Sequence, residues 1–179
     1  MPQSKPTTRP EIKLIAGLGN PGDIYKNTYH NIGLMAVDWL KDKSENAGPW
    51  GKAGNSFEYA KSKGMIWVKP LVFMNESGVA LAKAKKYFKI PAENILVIHD
   101  ESDLQAGNFK MQFDKNSAGH KGVESIINSL GTQKFWRVRI GVRGQKNKKR
   151  ALDFVLKKIV PAHKGKMEDV FKKISELLK

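Results

Sequence analysis

Four histidines hold the chain's most versatile chemistry: His30, His99, His120 and His163. An imidazole titrates near neutrality, so it can take a proton from water if a carboxylate orients it and stabilises the imidazolium. Asp100 directly follows an apolar run at residues 95–99. That is the carboxyl edge of a strand, where sites form in α/β proteins. His30 and His120 lie in polar, glycine-containing segments ahead of helical patterns, where a cleft opens. A His30–Asp100 pair would leave the second ring nitrogen free for water. The alternative reading of Asp100 is a turn former, since Asp100-Glu101-Ser102-Asp103 precedes Gly107. His99 ends an apolar strand and reads as a satisfied core imidazole; His163, in a charged segment, reads as solvated. No two histidines have the i, i+4 spacing of a helical metal pair, and the acids lack the spacing of a calcium loop, so no metal is expected.

Asn20, Asn31, Asn75 and Asn116 fall in loops or at element ends. Their amides both donate and accept, which suits a peptide backbone or a polarised carbonyl, although asparagine is also a common turn residue. Met74 and Phe73 beside Asn75 are either core or cleft wall. Gly17-Leu18-Gly19-Asn20-Pro21-Gly22 fits the dinucleotide pattern G-x-G-x-x-G after a strand. In that fold the glycine turn opens a helix whose first amides hold pyrophosphate. Here Pro21 removes one amide, a further loop follows, and no acidic residue ends a second strand. No nucleotide cofactor is expected; the glycines shape a loop over a cleft.

These residues need a scaffold, and the pattern describes one. Residues 12–18 read as a strand and 33–43 as an amphipathic helix. Residues 44–55 read as a loop, and 57–61 with 65–69 as a hairpin around Ser62-Lys63-Gly64. Residues 78–88 form a helix that Pro91 ends. Strands follow at 95–99 and 108–113, a helix at 123–130 and a strand at 136–142. A short helix at 151–156 and an amphipathic one at 167–178 complete the chain. Alternating elements without repeat or linker predict one α/β domain, a mixed twisted sheet with helices on both faces, over residues 12–179. Residues 1–11 read as a flexible leader, since residues 1–10 lack the apolar stretch of a signal peptide.

Composition limits the function. The chain has 179 residues, no cysteine, and 32 basic against 17 acidic residues, a net charge of +15. Disulfides, thiolate metal sites and thiol catalysis are excluded, in keeping with a reducing cytoplasm. No run of about 18 apolar residues exists to span a membrane. The positive excess attracts polyanions, nucleic acid first among them.

Five ordered blocks resemble the bacterial peptidyl-tRNA hydrolase family. Gly17 to Gly22 with Tyr25, Thr28, His30-Asn31 and Gly33 is similar to its opening pattern GLGNPG-x-x-Y-x-x-T-x-H-N-x-G. Pro70-Leu71-Val72-Phe73-Met74-Asn75-Glu76-Ser77-Gly78 is similar to its second block, and His99-Asp100-Glu101-Ser102-Asp103-Leu104 to its third. Gly119-His120-Lys121-Gly122-Val123 and Arg137-Val138-Arg139-Ile140-Gly141-Val142 follow in the family's order. The resemblance implies that His30 is the general base and that Asp100 fixes its tautomer. It implies that Asn20 and Asn75 hold substrate and stabilise the oxyanion, that Tyr25 and Met74 line the cleft, and that His120 belongs to its rim. The implied substrate is peptidyl-tRNA, cleaved by a cytoplasmic monomer without metal or organic cofactor.

Two residues depart from the family pattern. Tyr29 stands where the family usually has arginine, and Lys121 replaces a substrate-contacting asparagine, which shifts that position towards phosphate contact. Arg143, Lys146, Lys148, Lys149 and Arg150 form a compact basic segment directly after a strand, suited to tRNA phosphates. A competing expectation is a non-catalytic RNA-binding relative of the same fold. Retention of His30 and Asp100 argues against it, because binding alone needs no such pair. A small-ester serine hydrolase lacks its G-x-S-x-G elbow here.

Overall fold

Alternation along the central strands decides which side chains face which layer. In β1 (Leu14–Gly17) and β5 (Ile95–Gln105), Leu14, Ala16, Ile95 and Val97 face one side, and Ile15, Leu96 and Ile98 the other. All seven are fully buried. A strand apolar on both faces must be covered on both. α1 (Ile32–Asp42) and α4 (Pro161–Leu178) cover one side with Val37, Leu40, Val170 and Phe171. α2 (Ser77–Phe88) and α3 (Lys121–Leu130) cover the other with Leu81, Ala84, Val123 and Ile126. Each buried Leu, Ile or Val contributes about 1.5–3 kcal/mol, so the centre of the sheet is a firm base for a site.

The computed structural model describes residues 11–144 and 150–179. Residues 1–10 of the expected leader, and Lys146, Lys148 and Lys149 of the basic segment, lie outside the described residues. Five further strands complete the sheet: β2 (Gly51–Ala53), β3 (Phe57–Ser62), β4 (Met65–Pro70), β6 (Phe109–Phe113) and β7 (Trp136–Arg143). Their order is β2-β3-β4-β1-β5-β7-β6. β4, β1, β5 and β7 run parallel, while β2, β3 and β6 are antiparallel additions at the margins. The expected mixed α/β sheet with helices on both faces is the observed one. Among the described residues, no helix is long and apolar enough to cross a membrane.

β1 lies between β4 and β5, so connections leave it towards both sides and a crevice opens at the carboxyl ends of these three strands. α1 can begin close to that crevice because of Gly33. A Cβ there would stand 2.3 Å from the Ile98 carbonyl oxygen and 2.6 Å from the Leu18 nitrogen. Any side chain would push the helix start, and the turn before it, away from β5.

The structure corrects several expectations. β5 does not stop at residue 99: Asp100 and Glu101 pair with Ile140 and Gly141 of β7, and the register shifts only between Glu101 and Gln105. Asp100-Glu101-Ser102-Asp103 is therefore strand, not turn, with Glu101 held by Arg139 at 2.7 Å. The segment read as a loop at 44–55 contains β2, paired to β3. α2 ends through Lys89 in the left-handed conformation (φ 55°), before Pro91 is reached. The short helix expected at 151–156 is one 3-10 turn, Ala151–Asp153. α4 starts at Pro161, suited to a first helical position by its fixed φ and missing amide proton. His163 therefore sits in the first turn of α4 and is hydrogen-bonded, not solvated.

Candidate active site

Three loops meet at the crevice. The loop after β1 runs from Leu18 through Asn20 to a 3-10 turn, Tyr29–Asn31, which presents His30. The turn Met74–Glu76 after β4 presents Met74 and Asn75. The segment ahead of α3 presents His120. Between them stands Asp100 on β5, its side chain only 4% exposed.

His30 Nδ1 lies 2.9 Å from Asp100 Oδ1. A carboxylate can only accept, so Nδ1 carries the proton and Nε2 is left unprotonated. No hydrogen bond joins that Nε2 to another described residue. Burial works against the His30 imidazolium, but the hydrogen bond to Asp100 and the carboxylate's charge outweigh it and raise its pKa. Burial would also raise Asp100. The neighbouring His120 and His30 overcome that and hold its carboxyl well below the usual carboxylate range. The pair thus consists of a fixed anion and an imidazole primed to accept a proton.

His120, expected at the rim, lines the cleft and also meets Asp100. Its Nε2 lies 2.9 Å from the same Asp100 oxygen. Its Nδ1 accepts the Val123 amide at 3.3 Å, which makes His120 the N-cap of α3. His99, also on β5, donates from Nδ1 to the Asp100 carbonyl at 2.7 Å. It is fully buried, with Nε2 unpartnered, and burial and the nearby His120 push its pKa well down. His99 is in the core as the sequence suggested, but only Nδ1 of its two ring nitrogens is satisfied, not both.

Asn20 is fixed by a bracket. Its amide donates to Asn31 Oδ1 at 2.8 Å, and Asn31 Nδ2 donates back to its carbonyl at 2.9 Å. The Met74 amide donates to Asn20 Oδ1 at 2.8 Å. The side-chain oxygen is thereby engaged, and Nδ2 remains as the group a substrate oxygen can meet. Asn31 contributes through this bracket, a role its sequence position does not reveal.

Asn20, His30, Met74, Asn75, Asp100, His120 and Lys121 all line one cleft of about 550 Å³. Phe73 and, from the residues that follow the basic segment, Ala151, Leu152, Val155 and Leu156 complete its apolar wall. Leu152 is 77% exposed and Leu156 53% exposed, which leaves apolar surface facing a polar centre. The sequence reading missed this wall, whose only signal is leucine within a charged stretch. Tyr25 is not in the wall itself; it stands edge-on behind Phe73, ring centroids 6.2 Å apart.

The ligand atoms of His30, Asp100 and His120 also lie within 4.8 Å of one another. Distance alone would allow a cation there, although the sequence spacing gave no sign of it. The protons that His30 Nδ1 and His120 Nε2 now donate to Asp100 would first have to leave.

Comparison with known proteins decides what this cleft belongs to. The family model described as peptidyl-tRNA hydrolase matches residues 14–179. The chain belongs to the peptidyl-tRNA hydrolase family. A peptidyl-tRNA hydrolase of Aquifex aeolicus is 38% identical over 165 residues, 91% of this chain and 86% of that one. One from Mycoplasma capricolum is 36% identical over 93% of this chain and 91% of its own. The crystal structure of peptidyl-tRNA hydrolase from Acinetobacter baumannii superposes with a TM-score of 0.84 at 28% identity, covering 95% of this chain and 88% of that one.

Within this peptidyl-tRNA hydrolase fold, the two described members of the basic segment differ. Arg150 is exposed, its side chain 86% accessible and within 3.7 Å of Asp153. Arg143 is half-buried: it donates to the Ser102 carbonyl, lies 3.8 Å from Asp103 and stands over the Phe154 ring. Arg143 thus braces the strand end, while Arg150 faces solvent. Lys121 is exposed at the cleft, at the first turn of α3.

Proposed function

We propose that this chain hydrolyses the ester linking a peptide to tRNA, with His30 as general base. The observation that carries the mechanism is the His30–Asp100 contact, which leaves His30 Nε2 unprotonated in a cleft shared with the Asn20 amide. Family membership supplies the substrate class.

A water molecule at His30 Nε2 gives up a proton as its oxygen attacks the ester carbonyl. The resulting imidazolium is stabilised by Asp100. Negative charge gathers on the carbonyl oxygen, where Asn20 Nδ2 and the Asn75 amide donate to it. Collapse breaks the ester bond, and the proton passes from His30 to the departing ribose oxygen. The products are a peptide with a free carboxylate and a tRNA with a free terminal hydroxyl. An ester needs only a positioned base and charge stabilisation, each worth roughly 2–4 kcal/mol of barrier, so no cofactor is invoked.

The peptide lies against Met74, Leu152 and Leu156, while tRNA phosphates meet Lys121 and Arg150 of the basic segment. Tyr25 supports the peptide side through Phe73. Contact with phosphates alone suits an enzyme that must accept many tRNAs and return them to translation, a role that belongs to the cytoplasm in this reading. Release of label from N-acetyl-aminoacyl-tRNA by the wild type, absent in His30→Ala, is the expected result. Tight tRNA binding without cleavage would instead mark a non-catalytic RNA-binding relative.

A further inference from the structure

Tyr29 precedes the proposed base, and its side chain reaches away from the cleft into the core. The ring is 6% exposed and stands edge-on to Phe154 and His163. Its hydroxyl lies 2.8 Å from His163 Nδ1 in the first turn of α4. The same oxygen receives the Val160 amide at 3.4 Å. An oxygen that accepts from Val160 can give its own proton to Nδ1, provided that nitrogen is unprotonated. Burial, aided by the charge of Lys166, lowers the His163 pKa and so favours that form.

The backbone around Tyr29 is fastened to the same region. The Tyr29 amide donates to the Lys157 carbonyl at 3.2 Å, and His30 to Val155 at 2.8 Å. Ile159 donates to Asn27 at 2.8 Å, and Thr28 forms an antiparallel bridge with Lys158. Residues 155–159 are therefore a strap laid along the turn that bears His30. The strap also provides Val155 and Leu156 to the cleft wall. It runs into α4, whose Met167, Val170 and Phe171 are locked in the core.

We propose that Tyr29 is a positioning residue for His30, fastening the turn and the strap to α4 through its hydroxyl's bond to His163. A three-residue 3-10 turn has poor internal hydrogen bonding, so its orientation depends on what holds its ends. Asn31 is held by Asn20; Tyr29 is held by α4. Small misplacement of a base lengthens proton transfer and slows chemistry more than it weakens binding. The inference rests on His30 being the base.

The pH profile separates positioning from plain stability. The titratable groups facing His30 are Asp100 on β5 and His120 ahead of α3. Asp100 raises His30, so a turn that drifts from Asp100 moves the acid limb of kcat to lower pH.

The test is steady-state cleavage of N-acetyl-aminoacyl-tRNA across pH by wild type, Tyr29→Phe, His163→Ala and the double variant, with melting temperatures beside them. Expected is a kcat roughly three- to tenfold lower in each single variant, the loss that one hydrogen bond's worth of energy gives. KM should be nearly unchanged, the acid limb should move down, and the double variant should be no slower than the singles. A wild-type kcat and pH limb in Tyr29→Phe, whatever its melting temperature, would overturn the proposal. So would single losses that multiply in the double variant. If Tyr29→Phe does not fold, His163→Ala alone decides: an unaltered profile there overturns the proposal. A wild type that cleaves nothing would overturn the hydrolase reading as well, which distinguishes the two failures.

Discussion

Asp100 receives two imidazole protons on one oxygen: His30 Nδ1 and His120 Nε2 each lie 2.9 Å from Oδ1. The two rings therefore carry their protons on opposite nitrogens. His120 has no spare nitrogen, because Nδ1 accepts the Val123 amide. His30 has one. The carboxylate thus distinguishes a base from a brace, and that difference leads to separate predictions.

Asp100→Asn should keep the fold and lower kcat on the order of 10³-fold, within the range of a positioned base. The acid limb should move as well. In the wild type, activity is lost as pH falls through the raised pKa of His30. With the charge gone, burial dominates and the limb shifts to lower pH. Stability follows the same linkage. The raised His30 pKa stabilises the fold below its unfolded value, and that gain is lost as pH rises through the folded one. The depressed Asp100 pKa stabilises above its unfolded value, and that gain is lost as pH falls through the folded one. Thermal melts of Asp100→Asn should accordingly lose the wild type's gain from the depressed carboxyl. The buried His30, its pKa now lowered, should make stability fall as pH drops below the usual histidine range.

His120→Ala removes the N-cap of α3 and one donor to Asp100. The cap is worth about 1 kcal/mol. Denaturant unfolding should report a loss of that order, with kcat falling less than in His30→Ala. A loss of activity equal to that of His30→Ala would assign His120 a direct chemical role.

Asn20→Asp isolates the amide donor. The carboxylate keeps an oxygen for the Met74 amide, so the bracket with Asn31 and the local fold should survive. What changes is Nδ2, replaced by an anionic oxygen where negative charge develops. Loss of one such donor costs about 10²–10³-fold in kcat, and the added charge deepens it. Near-normal KM with collapsed kcat is the expected signature; a proportional rise in KM would mean that Asn20 only binds.

Much of this arrangement was readable before the structure, but unevenly. The central strands and the first three helices announce themselves through apolar period, and His30, Asp100, Asn20 and Asn75 sit in ordered blocks of family motif. The extension of β5 through Asp100 and Glu101 was hidden because its acidic residues resemble a turn. They stay in the sheet by pairing with β7, and Arg139, distant in sequence, neutralises Glu101. The first turns of α4 were hidden by lysines and Gly165, which give no apolar face before Met167. His163 consequently read as solvated. The shared oxygen of Asp100 could not be foreseen either, since His30, Asp100 and His120 come from three elements with no common period.

Salt should separate the two described arginines of the basic segment. Arg150 faces solvent, where a phosphate can displace its loose contact with Asp153. Arg143 is committed to the Ser102 carbonyl and the Phe154 ring. Each phosphate contact adds about 0.7–0.9 to the slope of log affinity against log salt. Arg150→Gln should therefore weaken tRNA binding at low salt, equally for different tRNAs, and reduce that slope by nearly one, with stability unchanged. Arg143→Gln should lower stability by about 1 kcal/mol through its lost hydrogen bond, with little change in slope. Filter binding over a salt series and denaturant unfolding of both variants make the comparison. If Arg143→Gln lowered the slope and spared stability, Arg143 would be a phosphate ligand and not a brace.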